Sequence, residues 1–187
     1  MGFYDTEKGV NEYIKLAEGY NGAELIEWLS AHLKEGSSVL ELGMGPGVDL
    51  KLLQKRHLAT GSDHSKLFVE RYLKLDPEAD VMQLDAVTMD TTRRFDAIFS
   101  NKVLQHLSKD QVRRSLAAQH AVLNEGGLAM HALWYGEGYE EHAGLGFQQY
   151  TEEALKELLD GSFKILETRR YSEMAEGDSI AVFLKKK

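Results

Sequence analysis

Apolar residues along this chain follow two rhythms, and the rhythms alternate. Short compact runs, such as Val39-Leu40-Glu41-Leu42, Phe95-Asp96-Ala97-Ile98-Phe99 and the stretch 127–134, have the length of buried strands. Elsewhere apolar residues recur at helical spacing, as in Leu25, Ile26, Leu29 and Leu33, or Val112, Leu116 and Leu123. The first strand is expected at 38–42, with a helix near 48–56 after it. A second strand follows at 57–63, and Ser65 starts a helix through Leu73. Residues 81–85 and 95–99 read as the third and fourth strands. Ser108 with Gln111 caps the next helix, before a fifth strand at 127–134, and Thr151 caps one carrying Leu155, Leu158 and Leu159. Asn21 with Glu24 likewise predicts a capping box. Two final strands, 163–172 and 179–185, are joined by a short turn and so should pair antiparallel. The alternation predicts an α/β protein with a doubly wound, Rossmann-like sheet of seven strands. A single domain over 1–187 is expected, led by a helical segment at 1–35.

The first strand runs into Gly43, Gly45 and Gly47, and a helix starting at Val48 comes next. Glycines in that place make a tight turn where backbone can approach a ligand, and the helix N-terminus faces the same ligand. The dinucleotide fingerprint wants a further glycine at position 48, which Val48 does not supply. Glu41 followed by Gly-x-Gly-x-Gly resembles motif I of class I S-adenosylmethionine (SAM)-dependent methyltransferases. The terminal antiparallel hairpin adds to that resemblance, which implies the strand order 3-2-1-4-5-7-6 with the last strand antiparallel. It also implies SAM as cofactor and S-adenosylhomocysteine (SAH) as its product; the enzyme is expected in the cytoplasm.

The residues at the predicted strand ends carry the resemblance further. Asp63, twenty positions after Gly43, stands where the family's acidic residue takes both ribose hydroxyls, with His64 beside it. Asp63 in Asp63-His64-Ser65 also fits a helix N-cap. Asp85 matches the acid that bonds the adenine amino group, and Leu84 and Ala86 flank the ring; a turn aspartate is the plainer reading of Asp85. Asn101 falls at the end of the fourth strand, beside the expected methyl group. Asn101-Lys102-Val103 lacks the Asn-Pro-Pro-Tyr signature of enzymes that methylate amide or base amino groups. His106, in Gln105-His106-Leu107, is the candidate catalytic residue, although a lone histidine also fits a core position.

Composition narrows the partners. A formal charge of −8 argues against attraction to phosphate backbones, so nucleic acid is not the expected partner. The absence of cysteine removes thiolate chemistry and suits a reducing cytosol. No apolar run is long enough for a membrane, and no stretch reads as a signal peptide. Glu140, Glu141 and His142 are adjacent residues that would not converge on one ion, so no metal is expected. The segment 134–150, aromatic, acidic and glycine-rich, is either a lid or a connector. The expected acceptor is a small molecule, and the expected assembly a monomer or homodimer. A protein or RNA methyltransferase and a non-catalytic SAM- or nucleotide-binding module are the alternatives.

Overall fold

The computed structural model describes residues 2–142, 144–159 and 161–187. A 3-10 turn (Phe3–Asp5) and two helices, α1 (Glu7–Leu16) and α2 (Ala23–Ser30), precede the sheet. The alternating part follows as β1 (Ser38–Leu42), α3 (Val48–Leu53), β2 (Leu58–Asp63), α4 (Lys66–Leu75), β3 (Val81–Gln83) and β4 (Phe95–Asn101). Then come α5 (Lys109–Val122), β5 (Leu123–Trp134), β6 (Tyr139–His142), β7 (Leu145–Gln148), α6 (Glu152–Leu158), β8 (Phe163–Tyr171) and β9 (Ser179–Lys186).

Seven strands form one sheet in the order β3-β2-β1-β4-β5-β9-β8. β1 to β5 pair in parallel, whereas β9 runs antiparallel to both its neighbours, β5 and β8. The spatial arrangement is the expected one, but the numbering is corrected. β6 and β7 form a separate antiparallel hairpin within the expected loop, which makes the terminal strands eighth and ninth rather than sixth and seventh. Periodicity misses this hairpin because every residue of β6 is exposed, so no apolar face marks it.

β1 shows how the sheet is sandwiched. Leu40 and Leu42 join a core with Ile98, Leu116, Leu155 and Val182, while Val39 joins another with Leu29, Leu50, Tyr72 and Phe99. Alternate side chains point to opposite faces, and each face is covered by helices. The caps at Ser108, Ser65 and Thr151 are in place, and Ser108 with Gln111 forms the reciprocal box. The box expected at Asn21 and Glu24 does not form. Gly22 is the N-cap of α2, and Asn21 instead accepts the Ala23 N–H at 3.0 Å, a local turn that competes with capping. Leu123 opens β5 rather than closing the face of α5. Among the described residues no helix is long and apolar enough to cross a membrane.

Candidate active site

The carboxyl ends of the parallel strands open into two adjoining cavities of about 310 and 430 Å³. Their position follows from topology: the strand order reverses between β1 and β4, so the loops leaving those strands diverge and leave a crevice. Tyr13, Gly43, Asn101, Lys102 and His106 line both cavities and mark the junction.

The first cavity runs over the glycine turn. Gly45 has φ +49°, and a Cβ there would stand 3.3 Å from the Tyr13 ring, facing the cavity. Gly47 lines neither cavity. It is the left-handed N-cap of α3, and a Cβ on it would meet Tyr72 at 2.1 Å. Asp63 ties the turn to the next helix, because Oδ2 accepts the Gly45 N–H at 2.9 Å and Oδ1 the Ser65 N–H at 2.8 Å. Burial raises its carboxyl above the ordinary range, and those two N–H groups oppose the rise. Beyond it lies a slot walled by Leu84, Ala86, Val87 and Phe68, with His64 and Asp85 at its rim. Asp85 lies two residues past the end of β3, its Oδ1 accepting the Val87 N–H at 2.7 Å.

Two acidic side chains, Glu41 and Asp49, flank the junction. Glu41 is buried in β1, and burial together with Asp49 and Asp63 pushes its carboxyl well above the usual carboxylate range. Asp49 accepts the Gly22 N–H at 2.7 Å and the Asn101 Nδ2 at 3.0 Å, which docks the start of α2 against the end of β4. Glu41 Oε2 and Asn101 Oδ1 are buried without a hydrogen-bond partner. Burial and then the carboxylates Asp63, Asp49, Glu41 and Glu173 push the Tyr13 hydroxyl up to about 12.

His106 closes a 3-10 turn after β4 and lines both cavities. Its Nδ1 lies 2.9 Å from the Gly146 carbonyl. A carbonyl only accepts, so Nδ1 carries the proton and the neutral ring keeps its lone pair on Nε2. Burial lowers its pKa and so favours that neutral form. The Phe147 ring packs edge-on at 4.8 Å and Tyr4 at 6.1 Å, bringing hairpin and N-terminal segment together over it.

Lys102 plays a part that sequence reasoning missed. It sits in the left-handed region at φ +59°, with Nζ 3.6 Å above the Trp134 ring centroid. Nζ also contacts Ser179 Oγ (2.6 Å), the Leu133 carbonyl (3.1 Å) and Glu173 Oε2 (3.3 Å). Burial lowers its pKa to about 8, against the pull of Glu173. Asp49 and Glu173 were missed too. Asp49 reads as an ordinary helix-start acid, and Glu173 lies in what looks like a hairpin connector. Only the excess of acid around the glycine turn hinted at Asp49.

Residues 39–127 match the methyltransferase domain family. No curated protein sequence matches the chain. Among solved structures, the chain is similar to the 1,6-didemethyltoxoflavin-N1-methyltransferase of Burkholderia thailandensis, solved with that compound and SAH bound. The TM-score is 0.80 at 22% identity, over 96% of this chain and 84% of that one. A TehB-like SAM-dependent methyltransferase from Corynebacterium glutamicum superposes with a TM-score of 0.78 at 18% identity, over 97% and 100% of the two chains. The N-methyltransferase NodS of Bradyrhizobium japonicum, solved with SAH, gives 0.73 at 16%, over 97% and 98%. With the glycine turn at the switch point and the reversed strand β9 next to β5, the chain has the fold of the class I SAM-dependent methyltransferases it superposes on.

Proposed function

We propose that this protein transfers the methyl group of SAM to a small-molecule acceptor. The observation that carries the reading is the pair of joined cavities, one with nucleoside-binding chemistry and one walled by aromatic residues, meeting at Asn101, Lys102 and His106. The residues of the first cavity fit SAM. Asp63 keeps a lone pair on each oxygen for the ribose hydroxyls, the Leu84–Val87 slot takes the adenine, and Asp85 meets its amino group. The unpartnered Glu41 Oε2 and Asn101 Oδ1 suit the ammonium of the methionine end. SAM supplies an electrophilic methyl on a sulfonium for in-line displacement.

The chain itself supplies alignment, exclusion of water and a proton acceptor. His106 Nε2 is that acceptor, fixed in its tautomer by Gly146. The second cavity, at about 430 Å³, suits a compact molecule. Its roof is the hairpin β6–β7, which acts as a lid through Leu145 and Phe147, together with the N-terminal segment. That the Burkholderia relative holds a small heterocycle supports the same class of acceptor here. The lack of cysteine fits a cytoplasmic protein. Calorimetric titration tests the donor: micromolar SAM and SAH with silent NAD is expected, and binding of NAD with silent SAM would overturn the reading. Incubation with labelled SAM and pooled metabolites, peptides or RNA tests the acceptor class, and label in the peptide or RNA pool alone would overturn it.

A further inference from the structure

One wall of the second cavity is the loop 172–178, between β8 and β9, and the Asp178 side chain holds its first half. Asp178 Oδ1 accepts the Glu173 N–H at 2.9 Å, and Oδ2 accepts those of Met174 and Ala175 at 2.9 and 2.8 Å. The loop so held presents Glu173 and Met174 to the cavity. The Glu173 side chain is 20% exposed, and both its clamps fall on Oε2: Lys102 Nζ at 3.3 Å and the Tyr171 hydroxyl at 3.3 Å. Oε1 carries neither clamp.

Lys102 is the lysine of this wall, and its ammonium is already committed. Its three protons are matched by Ser179 Oγ, the Leu133 carbonyl and Glu173, with the Trp134 ring against it. It therefore has no donor left for an anionic group on an acceptor. Glu12 adds a carboxylate to the same cavity, beside Asp49, whose oxygens already accept the Gly22 N–H and the Asn101 amide. Tyr4, Tyr13, Tyr20, Trp134 and Phe147 add aromatic rings, whose faces attract cations and N–H edges. An acceptor bearing a carboxylate or phosphate would face Glu173, Glu12 and Asp49 and one spent lysine. A flat molecule with an N–H end would meet complementary groups on every side.

Resting on the methyl-transfer reading above, we infer that the acceptor is an aromatic or heteroaromatic nitrogen compound whose amine or ring N–H is recognised by Glu173. Lys102 is a positioning residue in this arrangement: it holds the carboxylate at the wall and does not itself bind the acceptor. Selectivity against anionic acceptors is the direct result.

The test uses the whole protein saturated with SAH, titrated by calorimetry with matched probes: tryptamine against indole-3-acetate, and benzylamine against phenylacetate. The amines should bind at least tenfold more tightly than their carboxylate counterparts. Glu173→Gln should remove that preference while SAH affinity stays within twofold, and Glu173→Asp should retain it. Lys102→Met should weaken amine binding without reversing the preference. Equal or tighter binding of the carboxylates, or no measurable amine binding, would overturn the inference, as would an undiminished preference in Glu173→Gln. The SAH titration separates the two levels. Silent SAH removes the methyl-transfer reading itself, whereas tight SAH with probes bound regardless of charge removes only the nitrogen assignment.

Discussion

Ser100 Oγ lies 2.8 Å from Nδ1 of His131, on neighbouring strands of the sheet, and both residues are fully enclosed. The other ring nitrogen of His131 has no partner, and burial lowers its pKa from 6.5 to about 4. The native protein holds this imidazole neutral, because a charge there would lack both solvent and a counterion.

A pH dependence of stability follows. Between pH 6.5 and about 4 the unfolded chain takes up a proton that native His131 refuses. Stability from this site is complete above pH 6.5 and falls as pH drops toward 4, by on the order of 3 kcal/mol. His57 and His106, also lowered, act in the same direction, whereas the raised Glu41 opposes them. Urea unfolding of wild type and His131→Gln at a series of pH values isolates the term. The wild type should lose stability more steeply on acidification, and parallel curves would refute the assignment.

Asp63→Ala should weaken SAH binding by roughly 10- to 100-fold, corresponding to hydrogen bonds to a charged group of about 1.5–3 kcal/mol. The fold should survive, since the lost contacts are to the Gly45 and Ser65 amides at the site. Calorimetry and circular dichroism read the two effects separately. Unchanged SAH affinity would leave Asp63 as a tie between turn and helix alone.

Gly45 and Gly47 should fail in different ways. Gly45→Val places a branched side chain at φ +49° in the first cavity, and should abolish SAH binding with the protein still folded. Gly47→Ala drives a Cβ into the Tyr72 ring, outside both cavities. It should lower the melting temperature first, with weaker binding as a consequence. Thermal melts beside SAH titrations check the contrast, and tight SAH binding by Gly45→Val would place the donor elsewhere.

His106→Gln should lower kcat by about 10²- to 10⁴-fold if the acceptor loses a proton, with SAH affinity little changed. The acid limb of the wild-type pH–rate profile should lie below the ordinary histidine value, because burial lowers the pKa of His106. Steady-state kinetics over pH decides it; an identical profile in the variant would leave His106 as packing for Phe147 and Tyr4.

Replacing residues 136–146 with a short Gly/Ser linker removes the roof of the second cavity and the Gly146 carbonyl that fixes His106. SAH affinity should be nearly unchanged and turnover should drop. Hydrogen exchange in the hairpin should slow when SAH and an acceptor are both present. Full activity of the linker variant would make the hairpin a connector.

The parts legible in sequence share one physical property: their signal is local. Ser108 with Gln111 and Thr151 announce helices, and the glycine turn after β1 announces a ligand, within a few residues. Strand β6 is exposed throughout and β7 evenly half-buried, so no periodic apolar face marks the hairpin in sequence. Lys102 was invisible for another reason, since its left-handed backbone and its contacts with Leu133, Glu173 and Ser179 depend on three distant segments. Asp49 hid in plain view, its contact with Gly22 spanning 27 positions.

Because β9 runs against the parallel strands, its first residue, Ser179, pairs with Trp134 at the last residue of β5. The connection that enters β9 is thus delivered to the same edge as the loops leaving β1 and β4. The first cavity draws mainly on the middle of the chain, Leu42 to Gln111, with Tyr4, Tyr13 and Leu145 from the flanks, while the second adds the flanking segments Phe3 to Asn21 and Trp134 to Met174 to a shared middle. The flanks thus weigh more in the second cavity than in the first. Recombining those flanks between relatives, with the middle left intact, should therefore reshape the second cavity far more than the first.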